Sequence, residues 1–376
     1  MLSGVNLALL VGPGVPLPAP QVVLDALTSV TVTTASGSNA SGFELAFSLS
    51  NRSPLHTIFL LAGGVMPPIL RVVIVVTMNG SPNVLIDGVA LETSVAPGSS
   101  GANSTLTVRG KDLTAVMNVI DFSGIPYPTL PCFARVALIL AKYAVLGIVP
   151  LPIPELMPDI SIPIDRIPRH QGKDLAYIQK LATECGYVFY LDPGPEPGMS
   201  VAYWGPEVKV GVPQPALNIN MDAHTNVESL QFAFDKEHKT LPIIFIQEPI
   251  SKAPIPIPIP DITPLNPPLG AIPPLPPRIE PLPDSVFATP MQAVMMGLAE
   301  AARTADAVTA SGTVDVTRYG NILKARRLVG VRGAGPAFDG LYYVSSVTHS
   351  IKRGEYKQQF QLARNGLVST VPQVAA

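Results

Sequence analysis

The chain has 376 residues, a formal net charge of −2, 14% charged and 47% hydrophobic residues, and a mean hydropathy of +0.34. That length suits roughly two to four structural units, whereas a soluble monomer normally carries about a quarter charged residues. Such a surface is expected to be covered by a membrane or by partner subunits, and the near-neutral charge excludes a general pull toward nucleic acid or acidic lipid.

Residues 1–20 hold an apolar run without a basic n-region or a clear small-residue cleavage site, so they do not read as a signal peptide. From 20 to 115 the pattern is that of strands. Ser29-Val-Thr-Val-Thr-Thr34, Phe43-Glu-Leu-Ala-Phe-Ser-Leu49 and Ser104-Thr-Leu-Thr-Val-Arg109 alternate two-fold, as half-buried strands do. Residues 72–77 are a β-branched run, residues 84–91 hold a strand around Gly88, and Gly/Ser joints at 36–42 and 98–104 separate them. The expectation is a small antiparallel barrel or sandwich. The apolar stretch 58–77 is broken by Gly63-Gly64, Pro67-Pro68 and Arg71, so it does not meet the requirement for about 20 uninterrupted apolar residues in a spanning helix.

Residues 116–212 read as an α+β unit. Phe133, Val136, Ala137, Leu140 and Ala144 recur at helical spacing, and Arg135 and Lys142 exclude residues 131–151 from a bilayer. A proline-punctuated bridge spans 150–168. Leu175, Ile178, Leu181, Ala182 and Cys185 then share one helix face, closed by Gly186. Tyr187-Val-Phe-Tyr-Leu191, a turn at Asp192-Pro-Gly-Pro195, and Ser200-Val-Ala-Tyr-Trp204 read as a hairpin. Cys132 and Cys185 match no metal or disulfide framework and are expected to be small buried hydrophobes.

Residues 242–283 contain 15 prolines, including Pro254-Ile-Pro-Ile-Pro-Ile-Pro260. Lacking amide donors, they are expected in polyproline II and not in an inner strand. Ile255, Ile257, Ile259, Leu265, Leu269 and Leu275 are apolar residues that a free linker has no reason to carry, so the segment is expected to lie on another surface. Thr289-Pro290 opens a helix with Met291, Val294, Met295, Leu298, Ala302 and Ala305 on one face, and Ser311-Gly312 is expected to close it. Strands are expected at 322–331, 341–349 and 355–363.

An internal echo links the two ends. Ile86-Asp-Gly-Val-Ala-Leu-Glu-Thr-Ser-Val95 is followed by Leu106-Thr-Val-Arg-Gly110, and Phe338-Asp-Gly-Leu-Tyr-Tyr-Val-Ser-Ser-Val347 by Leu362-Ala-Arg-Asn-Gly366. The offset is 252 residues at Asp-Gly and 255 at the arginine. Asp87, Gly88 and Arg109, with Asp339, Gly340 and Arg364, are therefore candidate structural or assembly residues.

These blocks, with residues 7–20, Lys173-Asp-Leu-Ala-Tyr-Ile-Gln-Lys-Leu-Ala-Thr-Glu-Cys-Gly-Tyr-Val-Phe-Tyr190 and Tyr203-Trp-Gly-Pro-Glu207, resemble the phage late control D family, which includes VgrG-type proteins and baseplate hubs of contractile tails. The resemblance implies a mainly β (α+β) chain with two tube-type antiparallel β-barrels. The first would occupy 1–115, an α+β middle domain 116–212, and the second 213–240 with 311–376. A Pro-rich insertion plus helix would fill 241–310. It also implies a homotrimer that meets a spike protein, a tail tube protein and other baseplate proteins. Such a chain is expected to be made in the cytoplasm and built into a phage tail-like particle. VgrG proteins usually continue into an oligonucleotide-binding-fold domain and a β-helical spike; the chain runs to Ala376 with neither, so a separate spike polypeptide is expected.

Chemistry is not legible. His56, His170, His224, His238 and His349 show no zinc-ligand spacing, and no His-Glu-x-x-His, Cys-x-x-Cys or Gly-x-Ser-x-Gly occurs. Gly330-Val-Arg-Gly-Ala-Gly335 lacks a Gly-Lys-Ser/Thr ending and reads as a hairpin turn. No catalytic residue, cofactor or metal is expected, and neither membrane insertion nor specific nucleic-acid binding. Nine basic residues (Arg318, Lys324, Arg326, Arg327, Arg332, Lys352, Arg353, Lys357 and Arg364) against three acidic ones in 312–366 suggest a cationic lumen, an acidic partner or a solvated strand face. The competing function is a secreted or cell-wall hydrolase with β-sandwich modules, which a clustered His/Asp/Glu pocket would favour.

Overall fold

The computed structural model describes residues 4–37, 41–49, 55, 59, 70–98, 104–155, 167–247, 254–259, 266–282 and 290–371. Thr289, Leu265, the side chain of Met291, most of 58–69 and much of the joints at 36–42 and 98–104 lie outside them.

The first part holds β1 (Val5–Pro13), β2 (Leu17–Pro18), the short helix α1 (Gln21–Ala26), β3 (Leu27–Ala35), β4 (Gly42–Leu49), β5 (Leu70–Met78), β6 (Ser81–Ala96) and β7 (Ser104–Asp112). The two-fold alternation is realised directly. Val30 and Val32 on β3, Phe43, Leu45 and Phe47 on β4, and Leu106 and Val108 on β7 are buried, while their polar neighbours face outward. The β-branched run of β5 is buried along both faces, as a strand covered on each side requires.

The middle part packs α2 (Cys132–Ala141), β8 (Ile148–Pro152), α3 (Asp174–Cys185), β9 (Val188–Pro193) and β10 (Ser200–Gly205) around Trp204, Leu140, Ile178 and Leu181. The hairpin β9–β10 forms as the turn residues dictate, and β8 adds to it in parallel. Gly186 ends α3 with a φ of 68°, the left-handed conformation a glycine takes at lowest cost. Ala144 lies beyond α2, in a single 3-10 turn.

The remainder holds β11 (Gln214–Asn218), β12 (Val227–Phe234), β13 (Thr240–Gln247), β14 (Pro254–Pro258), β15 (Gly270–Ile272), β16 (Arg278–Pro281), α4 (Pro290–Thr304), β17 (Val308–Asp315), α5 (Val316–Tyr319), β18 (Leu328–Arg332), β19 (Gly340–Lys352), β20 (Glu355–Arg364) and β21 (Leu367–Ser369). Two expectations are corrected here. Ser311-Gly312 does not close a helix: α4 ends at Thr304 and both residues lie within β17. A Cβ on Gly312 would sit 2.4 Å from the Ser229 oxygen and 2.6 Å from the Phe360 ring, so close strand packing, not capping, requires the glycine.

The Pro-rich segment is the second correction. β13, which contains Pro242, is the central strand of a three-stranded sheet between β14 and β16. On β14 the prolines fall at every second position, opposite Ile243, Phe245 and Gln247. Ring nitrogens spaced by two share one orientation, so the amides of Ile255 and Ile257 stay available to β13. The alternation thus suits an edge strand and leaves the ladder intact. Ile244 and Ile259 are buried against Ala293 and Ala301 of α4, whereas Ile255, Ile272, Leu275 and Ile279 remain exposed.

A single 13-stranded sheet joins the two ends of the chain, in the order β12-β17-β20-β19-β3-β4-β7-β6-β5-β1-β2, with β18 added to β19 and β11 to β18. The seam is the antiparallel pair β19–β3, running from Ser346↔Ala35 to Lys352↔Ser29. On its two sides the order repeats. The set β3-β4-β7-β6-β5-β1 has the same chain order and the same neighbour order as β12-β17-β20-β19-β18-β11. One pairing differs: β1 is antiparallel to β5, and β11 is parallel to β18.

Candidate functional site

Across the repeat, residues that point away from the two cores form lateral rows, two of hydroxyl and carboxamide side chains and one largely of charged ones. One row runs Ser229, Thr313, Gln359, Thr348, Thr33 over five strands, each paired with the next in register. A second runs Gln231, Ser311, Gln361, Ser346. A third crosses seven strands from Asp315 through Lys357, Ser350, Thr31, Glu44 and Arg109 to Glu92. At the seam the Thr33 and Thr348 hydroxyls are 3.1 Å apart, so the polar face is continuous from one half to the other.

Two cations on this face, Arg109 and Lys357, are paired locally. Arg109 donates to Glu44 at 2.7 Å and lies 3.8 Å from Glu92; Lys357 sits between Glu228 at 3.0 Å and Glu355 at 3.2 Å. These partners hold both basic groups above their usual range, chiefly through the hydrogen bonds to Glu44 and Glu228. Three other basic residues of 312–366 are engaged away from this face. Arg326 bridges to the Ala35 carbonyl and Asp192, Arg353 reaches the Asp25 carbonyl, and Arg364 is buried. The Ser, Thr and Gln rows hold water, and the charges beside them are of both signs.

The six candidate residues lie on, or directly before, equivalent strands but have different surroundings. Asp87 and Gly88 lie on β6 and Arg109 on β7; Asp339 immediately precedes β19, Gly340 opens it, and Arg364 ends β20. Asp87 makes a two-pronged contact with Arg71, at 2.8 Å and 2.6 Å, and Arg71 also reaches the Gly14 and Gly198 carbonyls. In the second half Arg364 instead donates to the Asp339 and Ala337 carbonyls at 2.9 and 2.8 Å and stacks 4.4 Å from the Tyr342 ring. A Cβ at Gly340 would lie 2.9 Å from the Arg364 guanidinium, so the glycine makes room for that arginine. Asn365, next to it, accepts the Leu269 and Gly270 amides at 2.9 and 2.8 Å and ties the Pro-rich segment to β20. The sequence marked Asp87 and Arg364 as candidates, whereas Arg71 stood out only as a break in an apolar stretch and Arg326 only as one of nine basic residues, without their partners.

A His/Asp cluster does exist, in the middle part. Asp174 accepts from Tyr143 and pairs with Lys142, both at 2.6 Å, while His170 meets Tyr127 at 3.0 Å and faces Asp174 at 3.3 Å without hydrogen-bond geometry. His170 is 1% exposed and Asp174 0%, so no substrate reaches them. Burial pushes the Tyr127 phenol up to about 12, which keeps it protonated, and depresses the His170 imidazole. The cluster braces α3 against α2 and the 121–127 segment; it is not the accessible pocket a hydrolase requires. The histidine of β19, His349, points away from the polar face into the core, where it bonds Tyr356 at 2.8 Å.

The fold is similar to that of solved phage tail proteins and of a chain in a VgrG-containing complex. A tail protein from Neisseria meningitidis superposes with a TM-score of 0.64 at 14% identity, over 97% of this chain and 98% of that one. The 43 kDa tail protein of prophage MuSo2 from Shewanella oneidensis gives 0.60 at 16% identity, over 96% and 98%. A chain of the Francisella PdpA-VgrG complex gives 0.57 at 8% identity, over 100% of this chain and 60% of that one. No protein-family model matches the chain, and no curated protein matches it in sequence. Among the described residues no helix is long and apolar enough to cross a membrane.

Proposed function

We propose that the chain is a structural hub of a contractile injection apparatus, acting as a homotrimer between a three-fold spike and a six-fold tail tube. The observation that carries this reading is the repeat of six strands in one sheet. Three copies, each with two like sets, give six similar units around an axis, which is the number a six-fold tube presents. In this reading residues 1–115 form one tube-type unit and 213–240 with 311–376 the other, the last strand set beginning at Val308. The polar face lines the axial channel, where rows of Ser, Thr and Gln, with charges of both signs beside them, keep a layer of water between wall and cargo. The work is geometric, passing force from tube to spike, with no reaction catalysed. The chain is made in the cytoplasm and carried in the particle, meeting the spike, the tube and other baseplate proteins.

Removing the gene from a producing strain and imaging its tail-like particles tests this. The expected result is loss of particles in which spike, tube and sheath are joined. Complete particles with an attached spike in the absence of the chain would refute the proposal.

A further inference from the structure

The two cysteines, 53 residues apart in sequence, meet in the middle part. Cys132 is the first residue of α2 and Cys185 the last of α3, and both are buried, at 4% and 7% exposure. Glu155, just beyond β8, completes the group: one ligand atom from each of the three side chains lies within 4.8 Å of the others. The carboxylate is oriented, not loose. Its Oε1 accepts the Phe133 amide at 3.1 Å and lies 3.7 Å from the Cys185 sulfur. Its Oε2 is buried and has no hydrogen-bond partner, an arrangement that costs free energy unless something positive fills it.

We propose that Cys132, Cys185 and Glu155 bind a thiophilic divalent cation of the Zn²⁺ class, with water as fourth ligand. Thiolate sulfurs at about 2.3 Å and a carboxylate oxygen at about 2.0–2.2 Å from such an ion stand roughly 3.5–3.8 Å from one another in a tetrahedron. The spacing here needs only a short inward movement to reach that. Soft thiolates favour Zn²⁺ over Mg²⁺ or Ca²⁺. The exchange balances in charge: two thiol protons leave to solvent, one dication enters, and the site keeps its net charge of about −1. Without the ion, the neighbouring Cys132 and burial hold the Cys185 thiol protonated. Bound, the ion would clamp the start of α2, the end of α3 and the exit of β8.

The test uses the full chain, stripped by chelator under reductant and titrated with Co²⁺ and then Zn²⁺. The expected result is one equivalent of Co²⁺ with a thiolate-to-metal charge-transfer band, displaced by Zn²⁺, and protection of both cysteines from a thiol reagent. Cys132→Ser and Cys185→Ser each remove the band. Because outer-shell changes alone weaken metal sites about 10–100-fold, Glu155→Gln is expected to weaken binding by about a hundredfold. Thiol protection in the unmodified chain keeps the test decisive where a variant fails to fold. Absence of a band at equimolar metal, an unchanged band in the serine variants, or a Cys132–Cys185 disulfide in protein prepared without air would each overturn the proposal.

Discussion

Arg71 is the residue on which the first half and the middle part both depend. It interrupts an apolar stretch, and the reason is Asp87 on the neighbouring strand: the two side chains are 5% and 0% exposed and bonded at 2.6 Å. Removing one member leaves a buried charge alone, so Arg71→Met is expected to cost about 3–5 kcal/mol in urea unfolding. Arg71→Met combined with Asp87→Leu is expected to recover most of that loss. Arg109→Met, on the solvated polar face, is expected to leave the urea midpoint unchanged. The sequence made Asp87 visible through the Asp-Gly echo but not its partner, because a buried arginine announces itself only once strand pairing is known. The same holds for Arg326, whose contacts lie 134 and 291 residues away.

His349 adds a pH dependence at the same scale. Burial pushes its imidazole from 6.5 down to about 3, with Lys324 adding to the effect, while Tyr356 and Gln358 bond its Nδ1. The unfolded chain therefore binds a proton that the folded chain refuses between about pH 6.5 and about pH 3. Stability from this group is full above that window and is lost as pH falls through it, by up to about 1.4 kcal/mol per pH unit. His349→Gln is expected to flatten the acid limb of a stability-against-pH curve. An identical slope in the two proteins would contradict the assignment.

Periodicity made most elements legible. The alternation at 29–34, 43–49 and 104–109 locates β3, β4 and β7, and the stripe from Leu175 to Cys185 with Gly186 locates α3. Where punctuation residues were read by their usual roles, the reading failed for a physical reason. Gly312 marks a close strand contact, and prolines at period two suit an edge strand whose partner lies on one side only. A branched side chain at Gly312 must push β12 or Phe360 aside. Gly312→Val is expected to cost about 1–3 kcal/mol, whereas Ser311→Val, exposed on the same strand, should stay within about 0.5 kcal/mol of the parent. Equal urea midpoints for the two variants would show that β12 and β17 pack loosely.

For the whole molecule, the internal echo and the low charge pointed in one direction, and the repeated strand order gives the echo a structural counterpart. What the sequence could not supply is the join: the pairing of β19 with β3 brings together residues more than 300 positions apart, and no local pattern encodes it. That join makes one polar face out of two halves, and Leu275, Val212 and Val145 are exposed at 89%, 91% and 88%, apolar surface that the proposed trimer would cover. The central claim is a ring of three. Mass photometry of the purified full chain tests it most directly: the account predicts a particle of about three times the 39.6 kDa subunit, and a single species at the subunit mass, soluble at micromolar concentration without a spike or tube partner, would contradict it.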